Sequence, residues 1–177
     1  MGGLLISNTL TKRLCITFSI DLILEGHRTY VFHVKAWYSA SEYRIVSTNG
    51  VRIDTTAPNV NRAAKIMETV TQESNADVDY VTNISSICIK WTDSFRDLES
   101  GIMFYKVCIG TKAGLCDVQS QYIDDATTSG IALSGLVFEQ HVLYRSSITA
   151  CNTVDMCSVI YSDGFRVKDN IDLYISY

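Results

Sequence analysis

The sequence predicts an all-β chain organised as two related units in series. Its 177 residues include ten Tyr and six Phe among many Val, Ile and Thr, side chains that pack well on a pleated, half-buried surface. Tyr30, Phe32, Val34 and Ala36 alternate with Val31, His33 and Lys35, the period-2 pattern that sends one set inward. A shift of 114 residues superposes Leu24–Asp54 on Phe138–Lys168 without a gap, pairing Glu25 with Glu139, His27 with His141, Tyr30 with Tyr144, Gly50 with Gly164 and Arg52 with Arg166. A repeat this long implies whole units, each with its own core, rather than the short modules of a solenoid.

In chain order, the first strand is Tyr30–Ala36. A second follows at Arg44–Ser47 and a third at Val51–Ile53, with Asn49-Gly50 supplying the positive φ of a tight bend. The layout recurs at Cys157–Tyr161 and Phe165–Val167. Between the copies lies Asp54-Thr55-Thr56-Ala57-Pro58, where the only proline restricts its own φ, biases Ala57 toward extended geometry and cannot donate to a ladder; the boundary is placed there. Asn61–Val70 suits a short helical face or a strand edge, and its surroundings favour strand. Ile87, Ile89 and Trp91 alternate with Cys88 and Lys90, and Tyr105, Val107 and Ile109 with Lys106 and Cys108, giving two more half-buried strands. Gly101, Gly110 and Gly114 mark the bends. Gly130–Gly135 has the wrong spacing for a dinucleotide fingerprint and reads as a strand.

A net charge of −4 with no Lys/Arg run offers no footprint for a nucleic-acid backbone or an anionic membrane surface. The longest apolar stretch, Leu14–Leu24, is interrupted by Asp21 and is far shorter than the roughly 20 residues that span a bilayer. The N-terminus lacks a basic segment and a clear cleavage site, so export is specified elsewhere or the chain is incomplete.

Leu24-Glu25-Gly26 followed by Tyr30, Phe32, Val34 and Ala36 resembles the E–F corner and F strand of the fibronectin type III superfamily, and Phe138 through Tyr144 to Ala150 resembles a second, more degenerate copy. The resemblance implies that Tyr30 and Tyr144 are corner tyrosines, each bonding a nearby backbone group while its ring packs inward. Trp91 falls where the family places a core tryptophan on strand B. Asp54 to Pro58 is similar to the linker that opens many tandem repeats of this kind, and Asp93 to Ile109 is similar to their B–C loop and C strand. The implied fold is tandem fibronectin type III-like antiparallel β-sandwiches, the first truncated. Residues 1–56 would be the C-terminal half of one repeat, 57–170 a complete repeat, and 171–177 a tail or the start of a further segment. The first repeat's early strands would precede Met1, so the chain reads as part of a longer multi-repeat protein. Two positions depart from the family: Ser146, where an aliphatic side chain is expected, and Gln140, which replaces the corner glycine seen at Gly26.

The six cysteines suit a disulfide-bearing secreted chain. Cys151 and Cys157 flank a short turn, and both are absent from the first copy, where Trp37 and Tyr43 stand, as joint loss of a bonded pair would look. Cys108 and Cys116 bracket a glycine-rich turn. A rival pairing joins Cys108 to Cys151, both outward on adjacent strands, leaving Cys15 and Cys88 without an assigned partner. The cysteine spacing does not converge on a zinc site. Asn83-Ile84-Ser85 is a glycosylation acceptor if the chain enters the secretory pathway. Asp93, Asp97 and Glu99 offer oxygen ligands for Ca²⁺ but lack the alternation of an EF-hand loop, and a solvated acidic loop is the preferred reading. His27 and His141 are repeat-equivalent corner residues and His33 points outward, so structural roles outweigh catalysis.

No nucleophile elbow or P-loop is present, and no catalytic residue, metal or cofactor is assigned. The functional expectation is a noncatalytic extracellular or cell-surface module that presents loops or strand edges to a protein or glycan partner. The alternative is an accessory spacer within a larger secreted enzyme or receptor. Neither a nucleic-acid partner nor a membrane span within this chain is expected, and no Arg-Gly-Asp tripeptide points to an integrin.

Overall fold

The computed structural model describes residues 23–82 and 84–168. Among these the regular structure is entirely β. The strands are β1 (Thr29–Tyr30), β2 (His33–Trp37), β3 (Tyr43–Ser47), β4 (Val51–Arg52), β5 (Asn59–Val60), β6 (Met67–Thr69), β7 (Tyr80–Thr82), β8 (Ser86–Lys90), β9 (Phe95–Arg96), β10 (Ile102–Gly110), β11 (Gln119–Ile123), β12 (Gly130–Ser134), β13 (Leu143–Asn152), β14 (Cys157–Tyr161) and β15 (Phe165–Lys168). Cys15, Asn83 and the 171–177 tail lie outside the described residues.

Two sheets organise the later part of the chain. One has the order β12-β8-β6; the other runs β11-β10-β13-β15-β7, with β14 also paired to β13. Branched and aromatic side chains from both meet in one core. Ile87 and Ile89 from β8 share it with Val107 and Ile109 from β10 and Ile148 from β13, all 0% exposed. Each such side chain contributes roughly 1.5–3 kcal/mol through removal from water. Trp91 follows β8 directly and is 2% exposed, its ring 5.4 Å from that of Tyr105.

The first segment repeats the later geometry position for position. Thr29 pairs with Arg52 and Tyr30 with Val51, as Leu143 pairs with Arg166 and Tyr144 with Phe165. His33 pairs with Ser47 and Trp37 with Tyr43, as Ser147 pairs with Tyr161 and Cys151 with Cys157. The 114-residue shift thus preserves strand register, which a one-residue slip would invert. Tyr30 Oη accepts the Glu25 N–H at 2.8 Å and Tyr144 Oη the Glu139 N–H at 2.7 Å. His27 and His141 hold left-handed φ values of 65° and 63°, and Gly50 and Gly164 of 98° and 91°. Burial separates the copies. Tyr144 is 3% exposed and Tyr30 half-buried, while Val34 and Val46, which match buried Ile148 and half-buried Ile160, are 64% and 70% exposed.

Several local expectations need correction. Within Asn61–Val70 only Met67–Thr69 is a strand. Asn61 Oδ1 accepts the Ala63 N–H at 3.0 Å and its carbonyl the Ala64 N–H at 2.9 Å, so a side-chain-capped turn replaces ladder pairing there. Cys88 and Cys108 are not on half-exposed outer faces; both are buried, at 7% and 4% exposure. Gly110 ends β10 without a positive φ, and glycine is required because a Cβ would stand 2.3 Å from the Leu115 carbonyl oxygen. Gln140 does not disturb the second corner, because the left-handed residue is His141, one position on. The parallel pairing of β7 with β15 and the edge strand β11 had no clear periodic signal.

Candidate functional site

The densest polar constellation joins the first segment to the later sheets. Glu99 follows the β9 turn and is 1% exposed. Its carboxylate accepts the Thr55 N–H at 3.2 Å, the Thr56 N–H at 2.8 Å, the Thr55 hydroxyl at 3.1 Å and the Thr56 hydroxyl. The linker residues therefore wrap a single buried acid. Asp97 Oδ1 accepts the N–H groups of Glu99, Ser100 and Gly101 at 2.8, 2.9 and 3.1 Å, which folds the loop into the shape that delivers Glu99. Asn152, fully buried at the end of β13, donates through Nδ2 to Asp54 Oδ2 at 2.9 Å, to the Thr56 carbonyl at 2.9 Å and to Asp97 Oδ2 at 3.2 Å. Ser100 Oγ also donates to Asp54 Oδ2.

Two contacts extend this clasp into the first hairpins. Arg52 Nη2 donates to the Leu98 carbonyl at 2.7 Å, and His27 Nε2 lies 3.6 Å from Glu99 Oε1. A Cβ on Gly26 would stand 2.6 Å from Thr55 Oγ1 and 2.8 Å from Glu99 Oε1. Glycine at the first corner therefore makes room for the clasp, and Gln140 is tolerated at the equivalent position.

The electrostatics follow from the donors. The Thr56 hydroxyl, ahead of the other linker donors and against the cost of burial, holds the Glu99 carboxyl down to about 2. Burial opposes ionisation of Asp97, but the Ser100 N–H, the Asn152 amide and the Gly101 and Glu99 N–H groups bring it below the ordinary carboxylate range. Each oxygen of Asp54, Asp97 and Glu99 already accepts a hydrogen bond. The site is thus built as a clasp in which backbone, hydroxyl and amide donors surround three carboxylates, with the Asp54 carboxyl itself close enough to Glu99 to bond it. Asp54, rather than Asp93, joins Asp97 and Glu99. Among the described residues no group of three His, Cys, Asp or Glu side chains is arranged to hold a metal.

The remaining sequence candidates lie elsewhere. Cys151 is bonded to Cys157 across paired β13 and β14 positions, and Cys108 to Cys116 across the turn after β10; the Cys108–Cys151 alternative is not the one formed. Cys88 is a buried free thiol. Pro58 is buried, and its carbonyl accepts the Ser158 hydroxyl at 2.6 Å, fastening the linker to β14. His33 Nδ1 meets Ser47 Oγ at 2.7 Å on the exposed hairpin. No described helix is long and apolar enough to cross a membrane.

Asp54, Thr55, Thr56 and Asn152 escaped notice as site residues in the sequence. A signal existed for Asn152, which replaces Tyr38 of the first copy, and for Gly26, which loses its glycine in the second. No protein-family model matches the chain, and no curated protein matches it.

Proposed function

We infer that the chain is a noncatalytic structural and adhesive module of an extracellular or cell-surface protein, built from tandem fibronectin type III-like repeats divided near Pro58. The observation that carries this reading is the coincidence of two hairpin systems in register, corner hydrogen bonds and left-handed positions, fastened together by the Glu99 clasp. A clasp made of backbone, hydroxyl and amide donors around one buried and two half-buried carboxylates suits a part whose task is to hold neighbouring units at a set angle. Two disulfides suit an oxidising compartment.

The presenting surface in this reading is the first hairpin. Trp37, Tyr43 and Ile45 are 56%, 45% and 55% exposed, and Lys35 Nζ sits 4.1 Å and 3.7 Å from the Trp37 and Tyr43 ring centres. Exposed aromatic and branched side chains on a two-stranded ribbon are the material of protein and glycan contacts. The fixed junction also favours the spacer reading, in which the module positions a neighbouring domain of a secreted enzyme or receptor.

The test is to secrete the full chain, immobilise it, and offer it glycan arrays and purified matrix proteins. Saturable retention that is lost in a Trp37→Ala/Tyr43→Ala variant supports presentation by the hairpin. No retention on either panel contradicts the adhesive part and leaves the spacer reading.

A further inference from the structure

Glu68 lies in β6, is 0% exposed, and takes no part in the clasp. Its side chain reaches away from its own ladder partner, Ile89 on β8, toward β13, where the Ser146 N–H donates to Oε1 at 3.3 Å and to Ser162 Oγ at 2.9 Å. Among the described residues three buried side-chain polar atoms lack a hydrogen-bond partner: Glu68 Oε2, Ser146 Oγ and the Trp91 indole nitrogen. Two of the three belong to neighbours in this seam, and both are oxygens. An ionised carboxylate can only accept hydrogen bonds, and among the described residues no donor reaches Oε2.

We propose that Glu68 is a proton site: in the folded chain its carboxyl is the neutral acid, and loss of that proton, which would leave a buried charge facing Asp77 with no cation beside it, loosens the seam between β6 and β13.

The surroundings favour the neutral form. Asp77 accepts the Glu68 N–H at 2.9 Å and brings a like charge close to it. Lys65, a nearby cation, pairs with Asp77 Oδ2 at 3.4 Å and is largely exposed. On β8, Lys90 spends its ammonium on the Ser74 carbonyl at 2.6 Å and Asn75 Oδ1 at 3.2 Å. The Ser146 and Ser162 side chains beside it are uncharged. Among the described residues no Lys, Arg or His forms an ion pair with Glu68. Burial is the largest influence and pushes the carboxyl up, Asp77 adds to it, and the nearby Ser162 and Ser146 groups oppose without reversing it.

Ser146, which stands where an aliphatic residue was expected and where the first copy has Phe32, lines this seam. Because the folded value is raised, the stability contributed by this proton is fully present below the unfolded value and is lost as pH rises through the folded one.

The experiment uses the full chain labelled with ¹³C. The Glu68 carboxyl carbon, assigned through its bonds and by its disappearance in Glu68→Gln, is followed by NMR through a pH titration. The proposal expects a midpoint above the ordinary glutamate value of about 4.3, with the Ser146 and Asp77 amides shifting at the same midpoint. A midpoint at or below the ordinary value overturns it. Should Glu68→Gln fail to fold, the titration of the unaltered chain decides alone.

Discussion

Asn152 donates to Asp54 across 98 residues of sequence, at 2.9 Å, and the same amide also holds the Thr56 carbonyl and Asp97. One buried side chain thus ties the linker, the β9 loop and the end of β13 at a single point. Asn152→Ala leaves acceptors of charged and backbone type without a donor, for which a loss of about 1.5–3 kcal/mol is the expected scale. Chemical denaturation of the two proteins at neutral pH measures it. A difference below a few tenths of a kcal/mol would mean that the three contacts do not hold the junction.

Glu99 sets an acid limit. Its folded value is depressed from 4.5 to about 2, so its contribution is present above the unfolded value and disappears as pH falls from there through the folded value. Thermal midpoints recorded between neutrality and strong acid should decline across that window in the unaltered chain. Glu99→Gln should be less stable at neutral pH, because its amide presents donors to the Thr55 and Thr56 donors, and should show a shallower decline. Parallel curves for the two proteins would contradict this.

Cys151 and Cys157 occupy the ladder position that Trp37 and Tyr43 occupy in the first hairpin. The equivalence predicts that Trp37→Cys/Tyr43→Cys forms a new disulfide under mild oxidation, detected by mass mapping without reduction. It also predicts that Cys151→Ala/Cys157→Ala costs about 2 kcal/mol, the scale for so short a closed loop. Persistence of both engineered thiols in the oxidised protein would show that the two hairpins differ in register.

The parts of the fold legible in the sequence are those written in local pattern. The hairpin strands and the Asn49-Gly50 bend follow from alternation and glycine, and the resemblance between copies exposed the corners. The clasp was not legible because its members come from three places in the chain and each, alone, is an ordinary polar residue. Asp97 and Glu99 read as a solvated loop, since nothing local says that Thr55 and Thr56 will arrive to bury Glu99. Cys88 and Cys108 misled for a related reason. Period-2 alternation assumes one wet face, whereas Cys88 and Cys108 are buried on the other face as well, Cys108 in its bond to Cys116. Glu68 went unremarked because a glutamate in a short strand reads as exposed until β13 is placed against it.

A clasp that holds the two equivalent hairpin systems in one fixed orientation makes them tumble as one body. Residual dipolar couplings of backbone N–H groups in β2–β3 and in β10–β13 of the full, weakly aligned chain test it most directly. Both sets are expected to fit a single alignment tensor, and Asn152→Ala to split them. Two tensors of different magnitude and orientation in the unaltered chain would contradict it.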